Sequence, residues 1–284
     1  MQSSWRAALA LVFCLGVSAP AEANLRAPIY VEVPPSAALK PATPDLIVEG
    51  EHLSFKLGRP YAGSESTAYD DLRQAEIEAV YQVRASAPAA APVAFEFIMP
   101  SVPNAVEVLI NGKAVPAHQA APKPIEKDKP RTREDELVSV RFEGALQEGS
   151  NELRVRYRQP LGKYEMRYGY FISSTWASAV EYELWPLHEW QLAPDFRLQV
   201  EVSFADDTAG LRRVLFGSHY KLELLGYEGI GEGPDYECYR IGPERCAPGQ
   251  ALGGETTYAD GIATRRLTLG AKFPARLVAI VRQD

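Results

Sequence analysis

Between residues 164 and 190 the chain gathers Tyr164, Tyr168, Tyr170, Phe171, Trp176, Tyr182, Trp185 and Trp190, with three of its four tryptophans among them. Aromatic faces of this kind stack on sugars, bases or proline-rich peptides, and the neighbouring Glu165, Arg167 and Glu181 would orient the ligand. Trp176, Trp185, Trp190, Tyr168 and Tyr170 are therefore the candidate binding residues. The competing reading is that these rings fill the space between sheets or domains. Alternation puts Tyr182 and Leu184 on one face and Glu181 and Glu183 on the other, as a core-facing strand requires, so this reading is preferred.

Other chemistry-bearing residues are scattered. His188 and Glu189 lie within Trp185-Pro186-Leu187-His188-Glu189-Trp190 and could pair as acid and base or bind metal. On a strand, however, adjacent side chains point to opposite faces, which separates them. His52, His118 and His219 stand alone. Glu228, Glu232, Asp235 and Glu237 are spaced by glycines and could offer oxygens to calcium, but they lack the alternate-residue spacing of calcium loops; a solvated turn is preferred. No serine sits in a Gly-x-Ser-x-Gly elbow, and no glycine-rich phosphate cradle opens a helix. The sequence nominates no catalytic residue, no metal ligand and no cofactor.

The first 23 residues set the compartment. Arg6 precedes an apolar run from Ala7 to Val17, and Ala21-Glu22-Ala23 closes it as a small-x-small cleavage signal. The run is too short to span a bilayer, and no transmembrane segment follows. Residues 1–23 read as an export signal, which places the protein in the periplasm or outside the cell. There Cys238 and Cys246, with Gly242-Pro243 between them to turn the chain, read as a disulfide. Closing so short a loop stabilises by about 2.5 kcal/mol on the chain-entropy account. A two-thiolate metal site is the alternative, but no histidine or further cysteine lies near to complete it. The net charge of −7 and the isoelectric point near 5.3 argue against nucleic acid as a partner.

The elements that must position these residues are strands. Leu53, Phe55 and Leu57 alternate with polar residues, as do Ile77, Ala79, Tyr81 and Val83, then Val93, Phe95 and Phe97. Val106 to Ile110 runs into Asn111-Gly112, a strong hairpin signal. Val138, Val140 and Phe142 follow, then Leu153, Val155 and Tyr157 between arginines. Phe196, Leu198, Val200, Val202 and Phe204 make the cleanest alternation in the chain. Leu222 and Leu224, Leu267 and Leu269, and Leu277 to Val281 supply the rest. No comparable stretch carries a helical stripe.

The expected fold is all-β, with two consecutive antiparallel β-sandwich domains of immunoglobulin-like or jelly-roll-like type and few helices. The expected order is an export signal (1–23), a Pro/Ala-rich extended leader (24–44), an N-terminal sandwich (45–160) and a C-terminal sandwich with the disulfide hairpin (161–284). The boundary falls at Pro160-Leu161-Gly162. The proline-rich, charged stretch between Pro116 and Glu136 reads as a mobile loop between strands.

Two sets of residues carry resemblances. Val48-Glu49-Gly50-Glu51-His52-Leu53, Glu76 to Val83, Ala94 to Pro100, Tyr182-Glu183-Leu184, Trp190 to Leu198 and Phe273-Pro274 together resemble a family of exported bacterial β-sandwich proteins of unknown function. That likeness implies fold and compartment, with no activity to carry over. Val108 to Lys113 followed by Ala145 to Leu153 is similar to the jelly-roll accessory domains of sugar-cleaving enzymes. The expected role is non-enzymatic: binding or scaffolding an envelope protein or polysaccharide. A carbohydrate-binding module using the Trp/Tyr cluster is the alternative, and a hydrolase with an unidentified site is the third reading.

Overall fold

The computed structural model describes residues 24–26, 45–58, 73–89, 92–100, 102, 105–121, 137–169, 172–205, 220–228 and 249–283. Side chains are described at all of these except 24–26, 100, 163–169, 172–176 and 282–283. Within them lie strands β2 (Leu46–Leu57), β3 (Gln74–Ala85), β5 (Glu107–Ile110), β6 (Lys113–Val115), β9 (Gly149–Pro160), β12 (Gln191–Ala205), β15 (Glu255–Ala259) and β16 (Ile262–Leu269). These form one eight-stranded sheet in the order β15-β16-β12-β2-β3-β9-β5-β6. Strands β1 (Asn24–Arg26), β4 (Val93–Pro100), β7 (Ala117–Gln119) and β8 (Leu137–Gly144) form a second sheet, ordered β1-β4-β8-β7. Strands β10 (Gly162–Gly169), β11 (Ile172–Glu183), β13 (Tyr220–Tyr227), β14 (Gln250–Ala251) and β17 (Arg276–Gln283) form a third, ordered β10-β11-β17-β13-β14.

Period-two alternation explains the layering. Leu53 and Phe55 of β2, Ile77 and Tyr81 of β3, Leu153 and Val155 of β9, and Phe196 to Phe204 of β12 all turn to one face of the large sheet and are buried there. The two smaller sheets cover that face. Phe97 meets Tyr157 at 5.9 Å between ring centroids, which joins the four-stranded sheet to the large one. Phe55 meets Tyr182 at 5.9 Å and Phe204 meets Tyr220 at 6.0 Å, which joins the five-stranded sheet to it. All three sheets feed one core, and burying each large apolar side chain contributes about 1.5–3 kcal/mol. The all-β sandwich expectation holds; among the described residues no α-helix occurs.

The expected division at Pro160-Leu161-Gly162 does not separate two sheets' worth of chain. There the chain turns a corner, leaving the large sheet at the end of β9 and entering the five-stranded one at β10. It returns at β12, which pairs in parallel with β2 from Gln191↔Ile47 to Phe204↔Leu57. Strands from both sides of residue 160 thus share one sheet and one core. A proline–glycine break looks the same in sequence whether it ends a domain or turns a corner.

Two further expectations shift in detail. Part of the leader is strand: Asn24–Arg26 pairs antiparallel with β4. The loop after Pro116 begins as strand β7, paired with β8, before leaving the described residues at 122. The Asn111-Gly112 turn is found as expected, with φ of 51° and 75°. Asn151, 1% exposed, fastens it to the next turn. Its Oδ1 accepts from Asn111 Nδ2 and from the Gln147 amide, each at 2.9 Å. Its Nδ2 donates to the carbonyls of Gln147 and Gly149 at 2.9 and 3.0 Å.

Candidate functional site

On the large sheet's other face the same alternation presents polar side chains. Register sets Lys56, Glu76 and Arg158 in one row across β2, β3 and β9, and Ser54, Glu78, Arg156 and Glu107 in the next across β2, β3, β9 and β5. Opposite charges meet along each row. Glu76 takes Lys56 at 3.6 Å and Arg158 at 3.3 Å. Arg156 binds Glu78 through Nε and reaches Glu107 at 3.6 Å, while Arg154 lies 3.9 Å from Glu78 and 2.9 Å from Glu152. Lys56, Glu76, Glu78, Glu107, Arg156 and Arg158 line an open depression of about 610 Å³. Charged side chains of both signs, with Ala105 and Tyr157 among them, make up its walls, unlike the enclosed apolar cleft that small ligands prefer. Such a surface suits a broad polar partner. The ion pairs hold the donors and acceptors in place, so a partner pays less to order them.

A different chemistry sits in the core. Glu51 is 2% exposed, on the inward face with Leu53 and Phe55. A register shift between Val48 and Gly50 lets Val48 and Glu51 both point inward. The Tyr182 hydroxyl donates to Glu51 Oε1 at 3.0 Å, and the hydroxyls of Tyr81 and Tyr182 lie 2.8 Å apart. Burial pushes the Glu51 carboxyl up to about 7, against the lowering effect of the Tyr182 and Tyr81 hydrogen bonds. Burial, reinforced by the Glu51 charge, also raises Tyr182 and Tyr157 well above the usual phenol range. Among the described residues, no hydrogen-bond partner reaches the buried Glu51 Oε2 or Tyr157 hydroxyl. A carboxyl poised near neutrality marks many functional sites, and it equally marks a structural group sealed between sheets.

The five-stranded sheet buries charge on its far face. Arg276 binds Glu183 through Nε and lies 3.7 Å from Glu181, with all three side chains excluded from solvent. Alternation assigned Glu181 and Glu183 correctly to the face opposite Tyr182, but that face is buried too.

The aromatic candidates divide. Trp190 is 7% exposed and stacks on Phe95 with centroids 6.4 Å apart, so its ring belongs to the core. Trp185 is half-buried at the start of a 3-10 turn, Trp185–Glu189. Trp176 and Tyr168 contribute backbone to β11 and β10, but their side chains, and all of Tyr170, lie outside the described residues. So do Cys238, Cys246, His219, Glu232, Asp235 and Glu237. His188 and Glu189 are on that 3-10 turn and not on a strand, because Pro186 at its first turn ends the ladder of β11. His188 is exposed and stacks on Phe273 at 4.5 Å. His52 and His118 are exposed, and so is Glu228. Among the described residues no three of His, Cys, Asp and Glu gather as a metal ion requires. Among the described side chains, Trp190 lies in the core while Trp185 and His188 lie on the 3-10 turn. The ladder of Glu76, Glu78, Arg156 and Arg158 went unnoticed because each strand's polar residues look like ordinary solvated positions until register aligns them.

No family model matches the sequence, and no curated protein matches it. Among solved structures, a Legionella pneumophila protein described as nutrient-binding is 9% identical, with a TM-score of 0.43, covering 93% of this chain and 72% of that one. An M1 zinc metallopeptidase from Deinococcus radiodurans is 13% identical, with a TM-score of 0.39 over 86% of this chain and 44% of the peptidase. Leukotriene A4 hydrolase from Saccharomyces cerevisiae is 10% identical, with a TM-score of 0.40 over 84% of this chain and 29% of the hydrolase. The chain thus spans less than half the length of either enzyme.

Proposed function

We propose that this is an exported binding protein of the bacterial envelope that offers the uncovered face of its eight-stranded sheet to a polar macromolecule, an envelope protein or a polysaccharide. The observation carrying this reading is the ladder through Glu76, Glu78, Arg156 and Arg158, where paired charges line an open depression. The export signal read in residues 1–23 supports the compartment. Antiparallel sheets often leave one face to water, so solvated polar residues alone would be unremarkable. Their concentration around one depression, already fixed by neighbours, supports a contact surface.

The test is retention of envelope extract and of purified envelope polysaccharide by the immobilised protein, beside a Glu78→Ala/Arg156→Ala variant. Glu78 and Arg156 are both partly open to solvent, and surface ion pairs contribute only about 0–1 kcal/mol, so the variant should fold normally. The reading expects at least one fraction to be retained by the native protein and lost by the variant. Equal retention by both, or turnover on a substrate panel without retention, would overturn it. The carbohydrate reading through tryptophan is checked in the same experiment. A shift of tryptophan emission with polysaccharide that survives the double substitution would favour the Trp185 region over the ladder.

A further inference from the structure

Asparagine followed by glycine is the pair most open to spontaneous loss of its side-chain amide, because glycine sets no side chain in front of its own backbone nitrogen. The chain holds this pair once, at Asn111-Gly112. Both residues are exposed on the turn from β5 to β6, so water reaches them.

The fold holds both ends of the Asn111 carboxamide. Its Nδ2 donates to Asn151 Oδ1 and its Oδ1 accepts from the Glu152 amide, each at 2.9 Å. The Asn111 amide in turn donates to the Glu152 carbonyl at 2.8 Å. While these bonds last, the side-chain carbon is tied to β9 and cannot swing onto the Gly112 nitrogen. Asn151 is fixed as well. It is buried, accepts from the Gln147 amide, and donates to the carbonyls of Gln147 and Gly149. Turning its carboxamide over to suit a changed neighbour would break both donated bonds.

We propose that Asn111 is a modification site of this protein, kept silent by Asn151 and converted to an acid when the turn opens. The Gly112 amide nitrogen gives up its proton and bonds to Asn111 Cγ, the Cγ–Nδ2 bond breaks, and ammonia leaves. Water then opens the cyclic imide at either carbonyl, which leaves aspartate or isoaspartate at 111. Water is consumed, ammonia is released, and nothing is oxidised or reduced. The change is one-way for the fold. A carboxylate at 111 has no hydrogen to donate, so it meets Asn151 Oδ1 acceptor to acceptor. Isoaspartate also lengthens the main chain by one carbon, which the primed turn does not accommodate. The hairpin that is loosened carries Glu107 into the polar ladder through β5.

The test ages the full chain in mildly alkaline buffer, which favours the deprotonated Gly112 nitrogen, and reads acid at position 111 by peptide mass. The same chain in denaturant gives the unprotected rate. Three hydrogen bonds must break for the turn to open, so the folded wild type should react at least about tenfold more slowly than the unfolded chain. Asn151→Ala removes the clamp and should react about tenfold faster than folded wild type. Gly254→Ala weakens a distant hairpin and should leave the rate at 111 unchanged, which separates loss of the clamp from loss of stability. Asn111→Asp starts with the product in place and decides the matter even where Asn151→Ala folds poorly. It should show faster amide exchange than wild type at the 147–151 turn. Equal rates in the folded and unfolded wild type overturn the proposal. So does an Asn151→Ala chain that reacts no faster than Gly254→Ala, or wild-type exchange at 147–151 in Asn111→Asp.

Discussion

Replacing Glu51 by Gln tests whether a proton is stored in the core. The amide keeps an oxygen to accept the Tyr182 hydroxyl, now at 3.0 Å, and removes only the titration. In the fold the carboxyl titrates at about 7, against an ordinary value near 4.5, chiefly because burial disfavours the charged form. The folded state therefore holds the proton more tightly than the unfolded chain. This stabilisation is complete below about pH 4.5, declines as pH rises toward 7, and is gone above it. At about 1.4 kcal/mol per pH unit, the window is worth about 3 kcal/mol. Denaturant unfolding of the wild type and Glu51→Gln at pH 5 and pH 8 reads this directly. Any constant cost of the amide cancels when the two pH values are compared, as do groups common to both proteins. Wild type should lose roughly 2–3 kcal/mol more than the variant between pH 5 and pH 8, because part of the window lies below pH 5. Equal losses would refute the reasoning, and would mean that Glu51 is ionised in the fold or solvated by groups beyond the tyrosines.

Arg276→Met leaves Glu181 and Glu183 buried beside each other without their cation, and should cost roughly 3–5 kcal/mol in denaturant unfolding. Replacing both glutamates by Leu in the same chain should recover most of that loss. Asn151→Ala removes two accepted and two donated hydrogen bonds from a buried side chain. It should lower stability by roughly 2–4 kcal/mol, with faster amide exchange at the 111–112 and 147–151 turns. Gly254→Ala forces a side chain onto a residue at φ +113°, with its Cβ 2.5 Å from the Arg266 carbonyl oxygen. It should lower the melting temperature and weaken amide protection in β15 and β16 first.

Sequence revealed the strands wherever one face was apolar and the other polar. Phe196 to Phe204 alternates because β12 is covered on one side only, and Asn111-Gly112 announces its own backbone geometry. Sequence hid what depends on partners far along the chain. The parallel pairing of β2 with β12 links residues such as Val200 and Leu53, and nothing local in either strand encodes it, so one core was read as two. Glu51 was legible in part: the alternation of Leu53 and Phe55, extended back two residues, puts it on the apolar face. Glu181 and Glu183 misled because carboxylates on the face opposite a core strand normally meet water. Arg276, which accompanies them, lies almost a hundred positions later. His188 and Glu189, read as strand neighbours, instead lie on a 3-10 turn that Pro186 opens, which carries His188 out of the sheet. The ladder on the uncovered face required register, which alternation alone does not supply.

The claim that this uncovered face is the contact surface is tested most directly by carboxylate footprinting. The protein is labelled with a carbodiimide and an amine, with and without the envelope fraction it retains, and modification is read at individual glutamates. The account predicts that Glu76, Glu78 and Glu107 lose reactivity in the complex, while Glu189 and Asp260 keep theirs. Unchanged labelling at all three ladder glutamates in a saturated complex would contradict it.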